Sequence, residues 1–133
     1  MRLLTNMPLT YLCGETPVIL TSKMYFALTW GLGIEDDLVK VSHEFLDQTT
    51  KYWRTWVKQC SIPVIYQEEV IRSALALKLH CYEDTGAILA APTTSLPEEP
   101  GGPRNWDYRY CWLRDAHFSL SAFHNLGQFE EME

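Results

Sequence analysis

The chain has 133 residues, the length of one ordinary domain, and its 47% hydrophobic and 21% charged residues exclude a disordered chain. A formal charge of -6 and a pI near 5.2 argue against nucleic acid as a partner, because that role calls for basic surface. No apolar run approaches the length of a membrane span, so no membrane partner is expected either.

The first eight residues, Met1 to Pro8, make a poor secretory signal, because polar residues and Pro8 follow only two leucines. Leu3 to Cys13 and Pro17 to Trp30 read as extended segments, and Gly14-Glu15-Thr16 between them suits a β-hairpin turn. In the second segment Phe26, Leu28 and Trp30 share one face and need a cover. Two strands alone are marginal in water, so this hairpin is expected to belong to a larger sheet with strands upstream.

Gly31-Leu32-Gly33 breaks the extended pattern. Glu35, Asp36 and Asp37 then place acid at a helix start, where the dipole favours it. Leu38, Val41, Phe45, Trp53, Trp56 and Cys60 recur at helical spacing, which predicts an amphipathic helix from Glu35 to Gln59. At that spacing Trp53 and Trp56 read as packing and not as a ligand platform. Ser61-Ile62-Pro63 interrupts, and a second helix is predicted from Val64 to Tyr82. Its apolar residues wrap most of its circumference, so it is expected to be buried in something larger than this chain. Gly86 ends the unit and Ala87 to Ala91 reads as a short extended piece.

The four cysteines, Cys13, Cys60, Cys81 and Cys111, show no C-x-x-C spacing. They read as reduced thiols, which favours a cytoplasmic location. His43, His80, His117 and His124 form no metal-ligand pattern, so no metal is expected. Pro92 to Pro103 holds four prolines and two glycines and reads as an irregular rim. Glu98 and Glu99 within it read as solvated loop acids, and Glu130, Glu131 and Glu133 as a terminal charge run.

The segment Arg104-Asn105-Trp106-Asp107-Tyr108-Arg109-Tyr110-Cys111-Trp112-Leu113-Arg114-Asp115 is the most informative stretch. It holds two Trp, two Tyr, three Arg and two Asp. Flat apolar faces mixed with fixed donors and carboxylates suit a pyranose, whose C–H faces stack on rings and whose hydroxyls take directed hydrogen bonds. The same composition also suits a packed loop, with Arg stacked on Trp and paired to Asp. Asp115 could equally cap the following helix, predicted from Ala116 to Leu126 with Gly127 beyond its end.

Three blocks in order, Arg72 to Leu79, Thr85 to Glu98 and Arg104 to Ala116, resemble glycoside hydrolase family 15. The likeness is greatest to bacterial and archaeal glucoamylase-like and trehalase-like members. It implies a mainly α fold with a β-hairpin, of the six-hairpin glycosidase type. Residues 1–33 would be the C-terminal part of the N-terminal β-sandwich, 34–62 a linker helix, and 63–133 the start of an incomplete (α/α)6 barrel.

It also implies inverting hydrolysis of an α-glucosidic bond, with a general acid and a general base on opposite faces of the sugar. Carried over position by position, Tyr108 and Trp112 match the aromatic wall of the terminal-glucose subsite. Arg114 and Asp115 match the pair that hydrogen-bonds its hydroxyls. No residue signals a cofactor requirement, and the phosphate or metal dependence of some trehalase-like members is addressed by no residue here. The resemblance implies an α-glucoside or oligosaccharide as substrate. It places the catalytic acid and base beyond the point matching Glu133, so no catalytic residue is assigned here. The chain is therefore expected to be a fragment, inactive alone and weakly folded, whose partners are the remainder of a glycosidase chain or further copies of itself. A non-catalytic sugar binder and a purely structural module are the alternatives.

Overall fold

The computed structural model describes residues 1–31, 33–34, 37–93 and 97–132. Among these the elements in chain order are β1 (Arg2–Thr5), α1 (Leu9–Cys13), β2 (Phe26–Thr29), α2 (Leu38–Gln59), α3 (Gln67–Lys78), β3 (Cys81–Tyr82), β4 (Ala87–Ile88), α4 (Leu113–Asn125) and a 3-10 turn at Glu130–Met132. The fold is mainly helical, with two small antiparallel sheets. It divides into two compact units, Met1–Arg54 and Thr55–Glu133, and the division falls within α2. Among the described residues no helix is long and apolar enough to cross a membrane.

In the first unit β1 pairs antiparallel with β2, with Arg2 opposite Thr29 and Thr5 opposite Phe26. The Asn6 side chain closes the ladder, donating to the Lys23 carbonyl at 3.1 Å and accepting from the Tyr25 N–H at 2.8 Å. The pairing differs from a hairpin turned at residues 14–16, because Leu9–Cys13 is helical and not extended. Pro8 explains this. It has no N–H to give a ladder, and its carbonyl instead accepts from Tyr11 at 3.0 Å to open the helical turn. The strand pair is thus joined by a long connection.

Leu32, Glu35 and Asp36 lie outside the described residues, so the acidic helix start is represented by Asp37. Its carboxylate accepts from the N–H groups of Val39 at 2.8 Å and Lys40 at 3.4 Å, which satisfies donors that the first turn leaves unpaired.

The second unit is built around α4. This helix packs on α3, β4 and the 3-10 turn, and Phe123 on it is fully buried. That burial contributes about 2–3 kcal/mol. Ala74, Ile88, Trp56 and Leu126 complete the core. Gly127, at φ +73°, ends α4: its N–H donates to the His124 carbonyl at 3.0 Å, and the Gln128 N–H reaches back to Phe123 at 2.9 Å. Only a residue without a side chain fits easily there, because a Cβ would stand 3.0 Å from Ser61 Oγ.

Helix α3 is shorter than the predicted Val64 to Tyr82. Tyr66, at φ +55°, sits in the left-handed region and starts the helix late. After Lys78 the chain leaves the helix to pair Cys81 with Ile88 and Tyr82 with Ala87 around Gly86, at φ +70°. Ala74 is the buried residue of α3, while Val64, Ile65, Tyr66 and Leu79 are exposed. All four cysteines are free. Glu131, read from sequence as part of a charged tail, is largely enclosed: it accepts from Trp56 Nε1 at 2.9 Å and pairs with Lys78.

Candidate functional site

The aromatic and Arg-rich segment is held from both sides. The N–H groups of Ala90 and Ala91, just after β4, donate to the carbonyls of Tyr110 at 3.2 Å and Tyr108 at 2.8 Å. This ties the segment to the second unit's core through Ile88. Thr94, Ser95 and Leu96 of the Pro-rich rim lie outside the described residues. The rest of the rim reverses through Glu99-Pro100-Gly101-Gly102, where the Gly102 N–H donates to the Glu99 carbonyl at 3.0 Å and Gly101 has φ +76°. Proline followed by a left-handed glycine is the chemistry of a type II turn. Asn105 Nδ2 braces it, donating to the Gly102 carbonyl at 2.7 Å.

The rings of Tyr108 and Trp112 stand 5.4 Å apart with 40° between their planes, a tilted aromatic pair, and both residues are half-buried. Trp112 Nε1 donates to the Asp107 carbonyl at 3.3 Å. Tyr108 Oη donates to Glu98 Oε2 at 2.9 Å. That bond pushes the phenol above the ordinary tyrosine range, with help from burial and from the Glu98 charge. Arg114 opposes the shift and Asp115 adds to it, so the phenol lies within electrostatic reach of both.

Helix α4 begins at Leu113, three residues earlier than predicted, and so Arg114 and Asp115 stand in its first turn. Trp112 occupies the N-cap position, without a side-chain cap bond. Asp115 is therefore not the helix cap. Its carboxylate accepts from Arg114 at 3.3 Å, and the side chain is about one-third exposed. Asp115 also borders a hollow of about 260 Å³ together with His80, Leu89, Ala90, Phe118 and Ser119. Tyr108, Trp112 and Arg114 do not line that hollow.

Asp107 and Arg109 are engaged with each other. The guanidinium reaches Oδ1 at 3.1 Å and Oδ2 at 2.9 Å, and the Arg109 N–H reaches Oδ1 at 3.0 Å. The Arg109 side-chain bonds, followed by its backbone N–H, hold the Asp107 carboxyl below the usual range. A larger hollow, of about 500 Å³, is bordered by Lys78, Cys81, Tyr82, Cys111, Leu120 and Glu131. Its central acid and base are paired with each other, and none of Tyr108, Trp112, Arg114 or Asp115 touches it.

Sequence reasoning missed Glu98 as the partner of Tyr108. The available signal was the Pro100-Gly101 pair, which marks a tight reversal between the two.

The family model for glycosyl hydrolases family 15 matches residues 64–133, which includes the whole of this segment. The chain belongs to that family. It is 50% identical over 86 residues to a trehalase of Thermoplasma acidophilum, a match covering 65% of the chain and 15% of that protein. It is 40% identical over 112 residues to a trehalase of Mycolicibacterium smegmatis, covering 84% of the chain and 17% of the relative. A Mycobacterium tuberculosis trehalase is 41% identical over 111 residues, with 83% and 16% covered. The chain thus spans only about 15–17% of the length of these glycoside hydrolase relatives. No solved structure matches it.

Proposed function

We propose that this chain supplies the grip on the terminal glucose unit of an α-glucoside in an inverting glycoside hydrolase of the trehalase or glucoamylase type. The observation that supports the reading is the Tyr108–Trp112 ring pair directly before α4, followed by the Arg114–Asp115 pair in its first turn. Two rings form a wall for the C–H face of the sugar. Asp115 accepts from two hydroxyls, and Arg114 donates to a hydroxyl oxygen from a rigid helical turn. The names of the relatives make trehalose the first α-glucoside to test.

Inverting hydrolysis needs a carboxylic acid at the leaving oxygen and a carboxylate that activates water on the opposite face. In this reading both come from parts of the family's chain outside the matched sixth. Helices α3 and α4 are read as the opening helices of an (α/α)6 barrel, following a sandwich remnant at 1–33 and a linker at 34–62. The exposure of Leu113 and Phe118 on α4 supports this, because further helices would cover them. In this chain alone, those faces favour self-association.

Titration with trehalose and with glucose, followed by tryptophan fluorescence, tests the reading. Asp115→Asn and Arg114→Ala should each weaken affinity by about tenfold, the loss of a hydrogen bond to a charged group. The absence of any sugar response, or unchanged affinity in both variants, leaves only packing. The mutual engagement of Asp107 and Arg109 favours a structural role for that part of the segment alone.

A further inference from the structure

We propose that Glu98 is a positioning residue of the sugar subsite, folded back by the turn at residues 99–102 to fix the Tyr108 ring as a rigid wall beside Trp112. This rests on the sugar-binding reading of Tyr108, Trp112, Arg114 and Asp115.

Tyr108 is anchored at both ends. Its carbonyl accepts from the Ala91 N–H at 2.8 Å, and its hydroxyl donates to Glu98 Oε2 at 2.9 Å. The first bond sets the backbone and the second sets the ring. A hydroxyl donating to a carboxylate makes a bond roughly twice as strong as a neutral one. The chain on either side of Glu98 is stiffened, because Pro97 has a fixed φ and Pro100 restricts Glu99 ahead of the reversal at Gly101. The Gly102 and Asn105 donors hold that reversal through the Glu99 and Gly102 carbonyls. A solvated loop acid needs none of this scaffolding. A ring that stacks on sugar does, because a wall fixed before binding loses no rotamer freedom when the ligand arrives.

The inference predicts coupling. Glu98→Ala and Tyr108→Phe should each weaken trehalose or glucose affinity by about 3- to 10-fold, the worth of one hydrogen bond. The double variant should be no weaker than the worse single, because both remove the same bond. Titration of ring-labelled tyrosine by nuclear magnetic resonance gives a readout without ligand: Glu98→Ala should return the Tyr108 phenol toward the ordinary range. Additive losses, or an unmoved phenol, overturn the proposal.

Intact affinity in Glu98→Ala beside a loss in Asp115→Asn defeats the inference and spares the sugar site. No sugar response in the native chain defeats both. Should Glu98→Ala lose its helical circular dichroism, Glu98→Gln decides. It keeps an acceptor but removes the charge, so the phenol must still move down, and an unmoved phenol overturns the proposal.

Discussion

Lys78 Nζ lies 2.6 Å from Glu131 Oε2, and both side chains are less than one-fifth exposed. The other carboxylate oxygen accepts the Trp56 indole N–H at 2.9 Å. One acid thus ties α3, the C-terminal part of α2 and the terminal 3-10 turn. Removing one partner of an enclosed pair leaves a desolvated charge behind. Glu131→Ala is therefore expected to destabilise the second unit by about 2–3 kcal/mol, read from denaturant unfolding. A loss under about 0.5 kcal/mol would mean that water replaces the carboxylate at no cost.

Gly127 ends α4 where the chain must turn back toward Ser61, whose N–H donates to the Leu126 carbonyl at 2.7 Å. Gly127→Ala meets both the left-handed backbone and a Ser61 Oγ at 3.0 Å. The expected cost is about 1–2 kcal/mol. Ser61→Gly should recover part of it, by removing the contact but not the backbone strain. Full recovery in the double variant would show that strain contributes nothing.

Burial pushes the thiols of Cys60 and Cys81 above their ordinary range, and the Glu131 charge adds to both. Cys13 and Cys111 are exposed. The thiolate is the reactive form, so alkylation near neutral pH should mark Cys13 and Cys111 first, as followed by peptide mass spectrometry. Glu131→Gln should speed reaction at Cys81 by removing a charge that opposes the thiolate. Labelling of Cys60 at the rate of Cys13 in the native chain would contradict this burial.

Asp107 gives the aromatic segment a pH dependence on the acid side. Its folded pKa is depressed by Arg109, so its contribution is fully present above the ordinary aspartate range and is lost as pH falls through the depressed value. The carboxyl resonance of Asp107 should therefore titrate below that of a free aspartate. Arg109→Ala should bring it back up. An Asp107 that titrates normally in the native chain would mean that the pair is open in solution.

The amphipathic spacing of Leu38 to Cys60 makes α2 legible, and Gly127 marks the end of α4, because both signals are local. The Trp112, Arg114 and Asp115 pattern is also legible as a motif, and the family match covers it. The extent of α3 did not. Nothing in the sequence near Tyr66 announces a left-handed residue, and Cys81 and Tyr82 continue a helical pattern until their pairing with Ile88 and Ala87 draws them into a strand.

By itself the sequence determined where ring faces, guanidinium forks and carboxylates are concentrated, because these are properties of residue types in order. Only the tertiary structure decided which acids matter. Glu98 and Glu131 look alike as loop and tail charges, yet one meets a phenol ten residues away and the other an indole 75 residues away. Such partners are chosen by chain reversal and helix packing, which no single stretch of residues encodes.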